Sequence, residues 1–426
     1  MSGQREFVAD LHIHSRYAYA CSKNLTLPNL AATAKVKGIG LLATGDFTHP
    51  AWLSELEAGL TPVDEGTFRY DGVSFVLGTE ISCVYRQGGR ARRLHLLLFL
   101  SSLECVKRFN AQLAQRGVKL EGDGRPSVGL SARELGSLAL DIDPEATVIP
   151  AHVWTPWYGL LGSVSGFDSL EECFGELTPM IRAVETGLSS DPAMNWSVPD
   201  MQGKAILSFS DAHSPPNLGR EVTVFTGKPT YGGLKEAVER NSVAYTVEFY
   251  PEEGKYHYSG HRNCGISQSP SDTAVQGSGL CPVCGRPLTL GVLHRVNSLS
   301  TVPESEEKRE PMPGADGFIR PVDDRPPFLR LVPLEELLAE TLGVGRRSKA
   351  VASAYQKLCA ELGSELAVLA WADEADIRRV SGEQVAQAIL RARTGQVAVE
   401  PGFDGQYGTV RVWSLPQGDP QQAALF

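Results

Sequence analysis

One regularity constrains this chain more than any other: short apolar stretches that carry a histidine or carboxylate at or near their C-terminal ends. They are Phe7–Asp10 followed by His12 and His14, Ile39–Asp46, Phe75–Glu80, Leu94–Leu100 with His95 set inside it, Thr147–His152, Ile181–Glu185 and Ala205–His213. Helical patterns such as Leu103–Gln115 and Gly233–Glu239 lie between them, and Thr26, Pro28 and Gly38 mark a helix start and stop. Short apolar strands alternating with helices predict an α/β chain with a parallel sheet or barrel. In such barrels the strand C-terminal ends carry the active site. Strand geometry places Asp10, His12 and His14 on one face, as it does Asp211 and His213. Any one of these residues could be a helix cap or a buried ion-pair member. The whole set, His12, His14, Asp46, Glu80, His95, His152, Asp211 and His213, is hard to explain as capping and reads as ligands for divalent metal.

The chain has 426 residues, more than one core of typical size, so two or three domains are expected. No apolar run is long enough to span a bilayer, and the first residues lead straight into a strand without room for a signal peptide. A cytoplasmic location follows as a default. The net charge of −10 argues against a surface that is basic throughout, yet a local groove and bound metals can still be positive.

The character changes near Tyr250. His261, Cys264, Cys281 and Cys284 form an H-x2-C-x16-C-x2-C pattern with a Cys-Pro-Val-Cys-Gly knuckle, which points to a closed structural zinc site. His257 competes with His261 for the fourth position. Residues 301–330 are rich in Pro, Glu, Asp and Gly and read as a linker. Beyond them, Pro333–Leu342 and Ser348–Leu362 flank Gly343-Val-Gly345, and Glu374–Val380 leads through Gly382 to Val385–Arg393. A helix, a tight glycine turn and a helix, twice over, is similar to a tandem helix-hairpin-helix unit. That similarity implies that Gly343 and Gly345 present amides to a DNA phosphate, with Arg346 and Lys349 as counter-charge. A plain helical bundle is the alternative.

With Asp10-x-His12-x-His14-Ser15, Glu80, His95, His152 and Asp211-x-His213 in this order, the first 250 residues resemble the polymerase and histidinol phosphatase (PHP) superfamily. The resemblance implies a distorted seven-stranded (β/α) barrel that holds two or three metal ions. Two departures stand out. Tyr17 and Tyr19 lie where a third histidine of the first motif is usual, and the second motif reads Thr44-Gly-Asp46-Phe-Thr-His49-Pro. Asp46 or His49 is then the substitute ligand. These departures, with Glu185-Thr-Gly-Leu-Ser-Ser-Asp191, Ser210-Asp-Ala-His-Ser-Pro215, the knuckle and the helical C-terminal part, make essentially the whole chain similar to the endonuclease Q family.

That similarity implies a DNA-repair endonuclease that nicks 5′ of deaminated bases (uracil, hypoxanthine, xanthine) and of abasic sites. Its expected organisation is a metal-dependent barrel at residues 1–250, a zinc-binding module at 251–300, a linker at 301–330 and a helical DNA-binding domain at 331–426. Asp211 and Glu80 are the expected catalytic carboxylates that hold or bridge Zn, Mg or Mn. Lys23 and Arg220 are candidate phosphate contacts, and Trp154, Trp157 and Tyr158 are candidates for stacking on an extruded base. Damaged DNA is the expected partner and a monomer the expected state. A sliding clamp is a further candidate that the residues do not decide. Two rival readings are a small-molecule phosphatase of histidinol-phosphate type and a non-catalytic PHP scaffold.

Overall fold

The computed structural model describes residues 6–272, 279–301 and 312–413. Its strands up to residue 248 are β1 (Glu6–Asp10), β2 (Leu41–Ala43), β3 (Thr61–Asp64), β4 (Thr67–Tyr70), β5 (Val73–Gln87), β6 (Arg90–Leu100), β7 (Ser127–Val128), β8 (Thr147–Pro150), β9 (Ala183–Glu185), β10 (Ala205–Leu207), β11 (Val222–Thr226) and β12 (Val243–Glu248). Parallel pairing joins β1 to β2 and β2 to β5, and antiparallel pairing joins β5 to β6 and β6 to β8. The pair β9–β10 is a separate parallel ladder. Single contacts tie it to its neighbours on both sides: Val153 N donates to Glu185 O, and His14 N to Ala212 O. One buried cluster draws Ala9, Leu41, Val76, Leu97, Ile149, Ala183 and Leu207 from β1, β2, β5, β6, β8, β9 and β10. Burying such a layer is the main driving force that draws these strands together.

The sequence signals for local structure act as expected. Thr26 precedes helix Leu27–Lys37, Pro28 lies in its first turn, and Gly38 ends it at φ 89°. Helix Ala132–Ile142 starts with a Ser131/Glu134 capping box. Glu80 corrects the expectation of a ligand at a strand end, since it lies within the long strand β5, and His95 lies inside β6. β5 and β6 form an antiparallel hairpin that runs well past the site to a Gly88-Gly89 turn. Both glycines there have positive φ, the backbone a tight hairpin turn requires.

The expected linker is partly structure. Residues 302–311 lie outside the described residues, but Phe328–Arg330 is a strand that pairs parallel with β12. Its Arg330 forms a part-buried pair with Asp191. The C-terminal part contains the anticipated helices Leu334–Leu342, Lys349–Leu362, Glu374–Ser381 and Glu383–Arg393. It is not all-α: strands Ala398–Glu400 and Thr409–Arg411 pair antiparallel. Between them, Gly402 accepts from Tyr258 N and donates to Glu252 O, which ties the end of the chain to the cysteine-bearing module. Among the described residues no helix is long and apolar enough to cross a membrane.

Candidate active site

The ends of β1, β8 and β10 and the middles of β5 and β6 deliver ligand atoms to one place. His12, His14, Glu80 and Asp211 offer atoms within 4.8 Å of one another, and so do Glu80, His95 and His152. Glu80 belongs to both groups. Its Oε1 is 2.6 Å from His95 Nδ1 and 3.1 Å from His152 Nε2, while its Oε2 is 3.3 Å from His14 Nε2. A carboxylate with this reach suits a bridge between two cations.

The remaining expected ligands stand one layer back. Asp46 Oδ1 accepts from His14 Nδ1 at 3.0 Å. Glu185 accepts from His12 Nδ1 at 2.8 Å and from the His152 amide at 2.7 Å. Carboxylates in this position fix the ring tautomer and orient the opposite nitrogen toward a metal. His213 also stays outside both groups: its Nδ1 is 2.9 Å from Asp211 O, and its ring packs against His14 at 4.7 Å. His49 stacks on Tyr17 and lies 3.2 Å from Glu121 O. Asp10 turns away from its expected companions; it accepts from the amides of Ser210 and Gly219 and so holds the Asp211 loop.

The donor set fits a divalent metal. His12 Nε2 is buried with no hydrogen-bond partner, although its other nitrogen is held by Glu185. Burial opposes charge on His12, but Glu185, Asp211 and Glu80 outweigh it and raise its pKa. Burial pushes Glu80 up, yet the surrounding imidazoles, His95 first, hold it well below the usual carboxylate range. Burial brings His95 down to about 4, the neutral state a metal ligand needs. The backbone is strained here as well, with Asp46, His152 and Asp211 at φ 46°, 29° and 45°. Left-handed backbone at non-glycine residues costs about 1–3 kcal/mol each and clusters at functional sites. Gly187 is required beside them, because an added Cβ would lie 2.3 Å from His152 Cβ.

A cavity of about 620 Å³ opens onto the ligands and shares His95, His152 and Asp211 with them. Trp157, Tyr158, Leu188, Tyr256 and His257 line its walls. Trp157 meets Tyr256 edge to face at 5.0 Å, and Tyr158 lies 4.7 Å from His95. Trp154 corrects the expected base pocket. It is fully buried and its Nε1 donates to Asn195 Oδ1 at 2.7 Å, so it belongs to the core.

The candidate phosphate contacts differ among themselves. Lys23 is exposed beside the first motif. Arg220 donates to the backbone carbonyls of Ser210 (2.8 Å) and Asp211 (3.4 Å), which makes it a brace for the Asp211 loop. The Gly343-Val-Gly345 turn is exposed with open space around both glycines, and Gly343 has φ 64°. Arg346 points back from that turn to Glu335 and Glu336, whereas Arg347 and Lys349 are exposed.

In the cysteine-bearing module, His261, Cys264, Cys281 and Cys284 bring ligand atoms within 4.8 Å of one another. His257 lines the large cavity instead. Behind the active site Glu248 is buried among Ser208, Thr246 and Thr186, and burial first, with Asp191, pushes it up to about 8. Its protonated form is favoured by folding. That contribution is complete below the usual carboxylate pKa and is lost as pH rises through about 8. Glu248→Gln should therefore lose less urea resistance than the parent between pH 6 and pH 9; equal losses would show that Glu248 carries no such linkage.

The comparisons bear on the whole arrangement. Residues 333–396 match the family model of the MJ0043 C-terminal domain. An uncharacterized Bacillus subtilis protein, YqxK, is 30% identical over 96% of this chain and all of its own length. The lesion-specific endonuclease Q of Pyrococcus furiosus has a similar crystal structure, with TM-score 0.81 at 33% identity, covering 96% of this chain and 95% of that one. The chain belongs to the endonuclease Q family. An endonuclease Q complex with a 27-mer duplex carrying an abasic lesion at its active site matches equally, with TM-score 0.81 at 34% identity over 97% of both chains. Within this family the sequence left two residues of the site unmarked. Tyr256 falls in a stretch read only for zinc ligands. Arg125, inside Gly122-Asp-Gly-Arg-Pro126, carries only the signal of a turn.

Proposed function

We propose that this chain is a metal-dependent DNA endonuclease of repair that hydrolyses the phosphodiester 5′ to a damaged nucleotide. Its substrates on this reading are the deaminated bases uracil, hypoxanthine and xanthine, and abasic sites. The observation that carries it is the cavity of about 620 Å³ that opens directly onto the two ligand groups. A damaged base within a duplex must leave the stack, at a cost of a few kcal/mol, before it can enter such a space. Trp157, Tyr158 and Tyr256 offer aromatic surface for it, and the scissile phosphate then lies beside Asp211 and Glu80.

On this reading β1, β2, β5, β6, β8, β9 and β10 form the seven-stranded barrel. His12, His14, Glu80 and Asp211 hold one divalent ion and Glu80, His95 and His152 another. Bound there, zinc, magnesium or manganese would acidify a water and stabilise charge on the phosphate oxygens. Asp46 and Glu185 set the tautomers of His14 and His12, and Asp10 and Arg220 fix the Asp211 loop. A small-molecule phosphatase would use the ligand groups but leave the cysteine-bearing module and the C-terminal helices without a task. The test is to offer labelled duplexes with deoxyuridine, deoxyinosine or an abasic site beside histidinol phosphate, with added Mg²⁺, Mn²⁺ or Zn²⁺. Cleavage confined to histidinol phosphate would overturn the proposal.

Two further roles complete it. The His261, Cys264, Cys281 and Cys284 set holds a structural zinc, so Cys281→Ser or Cys284→Ser should release one zinc per chain and lower the melting temperature. Unchanged zinc content by elemental analysis would count against it. The Gly343-Val-Gly345 turn grips phosphate without reading sequence, with Arg347 and Lys349 as the exposed charges beside it. Replacing both by Ala should reduce the log–log salt dependence of DNA binding by about 0.9 per lost contact. An unaltered slope would remove this face from the interface.

A further inference from the structure

Arg125 reaches the ligand groups from a loop that no expected ligand belongs to. Its Nη1 lies 3.2 Å from Glu80 Oε2, and its side chain, 24% exposed, lines the large cavity beside His95, His152 and Asp211. The loop is fastened to the motifs that fell short of the ligand groups. Gly124 N donates to Tyr17 O at 3.0 Å, and Thr48 Oγ1 donates to Gly124 O at 3.1 Å. Asp123 Oδ1 accepts from the amides of Tyr19 and Arg125. The fit against Asp46 is close enough that a Cβ on Gly124 would lie 2.5 Å from Asp46 Oδ2. Tyr17, Tyr19, Asp46 and Thr48 thus key this loop to the site, and the side chain it delivers there is a guanidinium.

A simple ion pair with Glu80 does not account for that placement. If each ligand group holds one divalent ion, their charge is balanced by the four carboxylates Glu80, Asp211, Asp46 and Glu185. A further carboxylate acting on Arg125 is Asp123, whose Oδ1 is taken up by the amides of Tyr19 and Arg125. A phosphodiester would bring the guanidinium an anion of its own. We propose that Arg125 is a catalytic residue that binds a non-bridging oxygen of the scissile phosphate, an inference that rests on the nuclease reading above. In the hydrolysis a water oxygen bonds to phosphorus while the bond from phosphorus to the leaving sugar oxygen breaks. The water loses one proton and the sugar oxygen gains one. Between these states the non-bridging oxygens carry added negative charge, and a guanidinium held beside them stabilises it more than it stabilises the ground state.

The test compares wild type, Arg125→Ala, Arg125→Gln and Arg125→Lys in single-turnover cleavage of an abasic duplex. Metal content, melting temperature and duplex affinity are measured alongside. Arg125→Ala and Arg125→Gln should be slower by about 100-fold or more, and Arg125→Lys should recover part of the rate. Metal content and melting should stay at parent values, which a merely structural role at Glu80 would not allow. Sulfur in place of one non-bridging oxygen supplies the direct readout. The gap between wild type and variant should shrink for one phosphorothioate diastereomer and persist for the other. Rates within threefold of wild type, loss of metal in all three variants, or gaps equal for both diastereomers and the all-oxygen duplex would each overturn the role of Arg125. A wild-type protein that cleaves no duplex would overturn the nuclease reading itself, and the inference with it.

Discussion

Asp211→Ala is expected to abolish strand cleavage, by about a thousandfold or more, in a protein that still folds. Its Oδ1 lies 3.1 Å from His14 Nε2 and 3.4 Å from His12 Nε2, so it completes the ligand group that faces the cavity. The residue sits in left-handed backbone, held by Asp10 through the Ser210 amide and by Arg220 through two carbonyls. Several ties therefore position one carboxylate, and the ties do not pass through that carboxylate. Removing it takes away charge that holds metal and leaves the loop anchored. The melting temperature should stay near that of the parent, while metal content falls and cleavage of an abasic duplex is lost. Parent-like nicking by Asp211→Ala with Mg²⁺ or Mn²⁺ added would show that the reaction does not depend on this group.

Much of this site could be read in the residues, and the exceptions have physical causes. The H-x-H pair, Glu80, His95, His152 and Asp211 were recognisable because each adjoins an apolar strand pattern, and strand periodicity places such residues together. Asp46, Glu185 and His213 carry the same pattern, and nothing in a linear spacing says whether a carboxylate touches a metal or the far nitrogen of its histidine. That difference is a matter of a few ångströms set by tertiary packing. Trp154 and Trp157 are three positions apart, yet one is sealed in the core against Asn195 and the other faces the cavity. Arg125 has no periodic context at all, and its importance depends on a loop keyed to Tyr17 and Asp46 from more than seventy residues away. Glu80 reads as a strand end because its apolar run stops there, whereas the β5–β6 hairpin continues through Arg- and Gln-bearing positions that pair backbone to backbone.

Among the ties that hold the helical C-terminal part to the rest is a buried ion pair, and breaking it should have a large effect on stability. Lys37 Nζ lies 2.5 Å from Glu365 Oε2, with both side chains nearly inaccessible, at 6% and 5%. Glu365 also accepts from Leu334 N at 3.1 Å and from Tyr355 Oη at 2.6 Å. One carboxylate therefore satisfies the end of helix Leu27–Lys37, the start of helix Leu334–Leu342 and a tyrosine on helix Lys349–Leu362. Gly38, directly beyond Lys37, packs so closely that an added Cβ would lie 2.5 Å from Ser364 Oγ. Removing one member of a buried pair strands the other's charge, at a cost of about 3–5 kcal/mol. Glu365→Ala should cost that much in urea unfolding. Replacing Lys37 and Glu365 together by Met and Leu should recover the part due to the stranded charge, while Leu334 N and Tyr355 Oη still lose their acceptor. Simple deletion of the C-terminal helices would leave Lys37 unpaired and uncover Gly38, so it would report on folding before it reported on DNA. The double replacement keeps the junction closed and separates the two. If Glu365→Ala unfolds at the parent urea concentration, the pair is not what joins the helices to the first part of the chain, and the apolar contacts around it must do so instead.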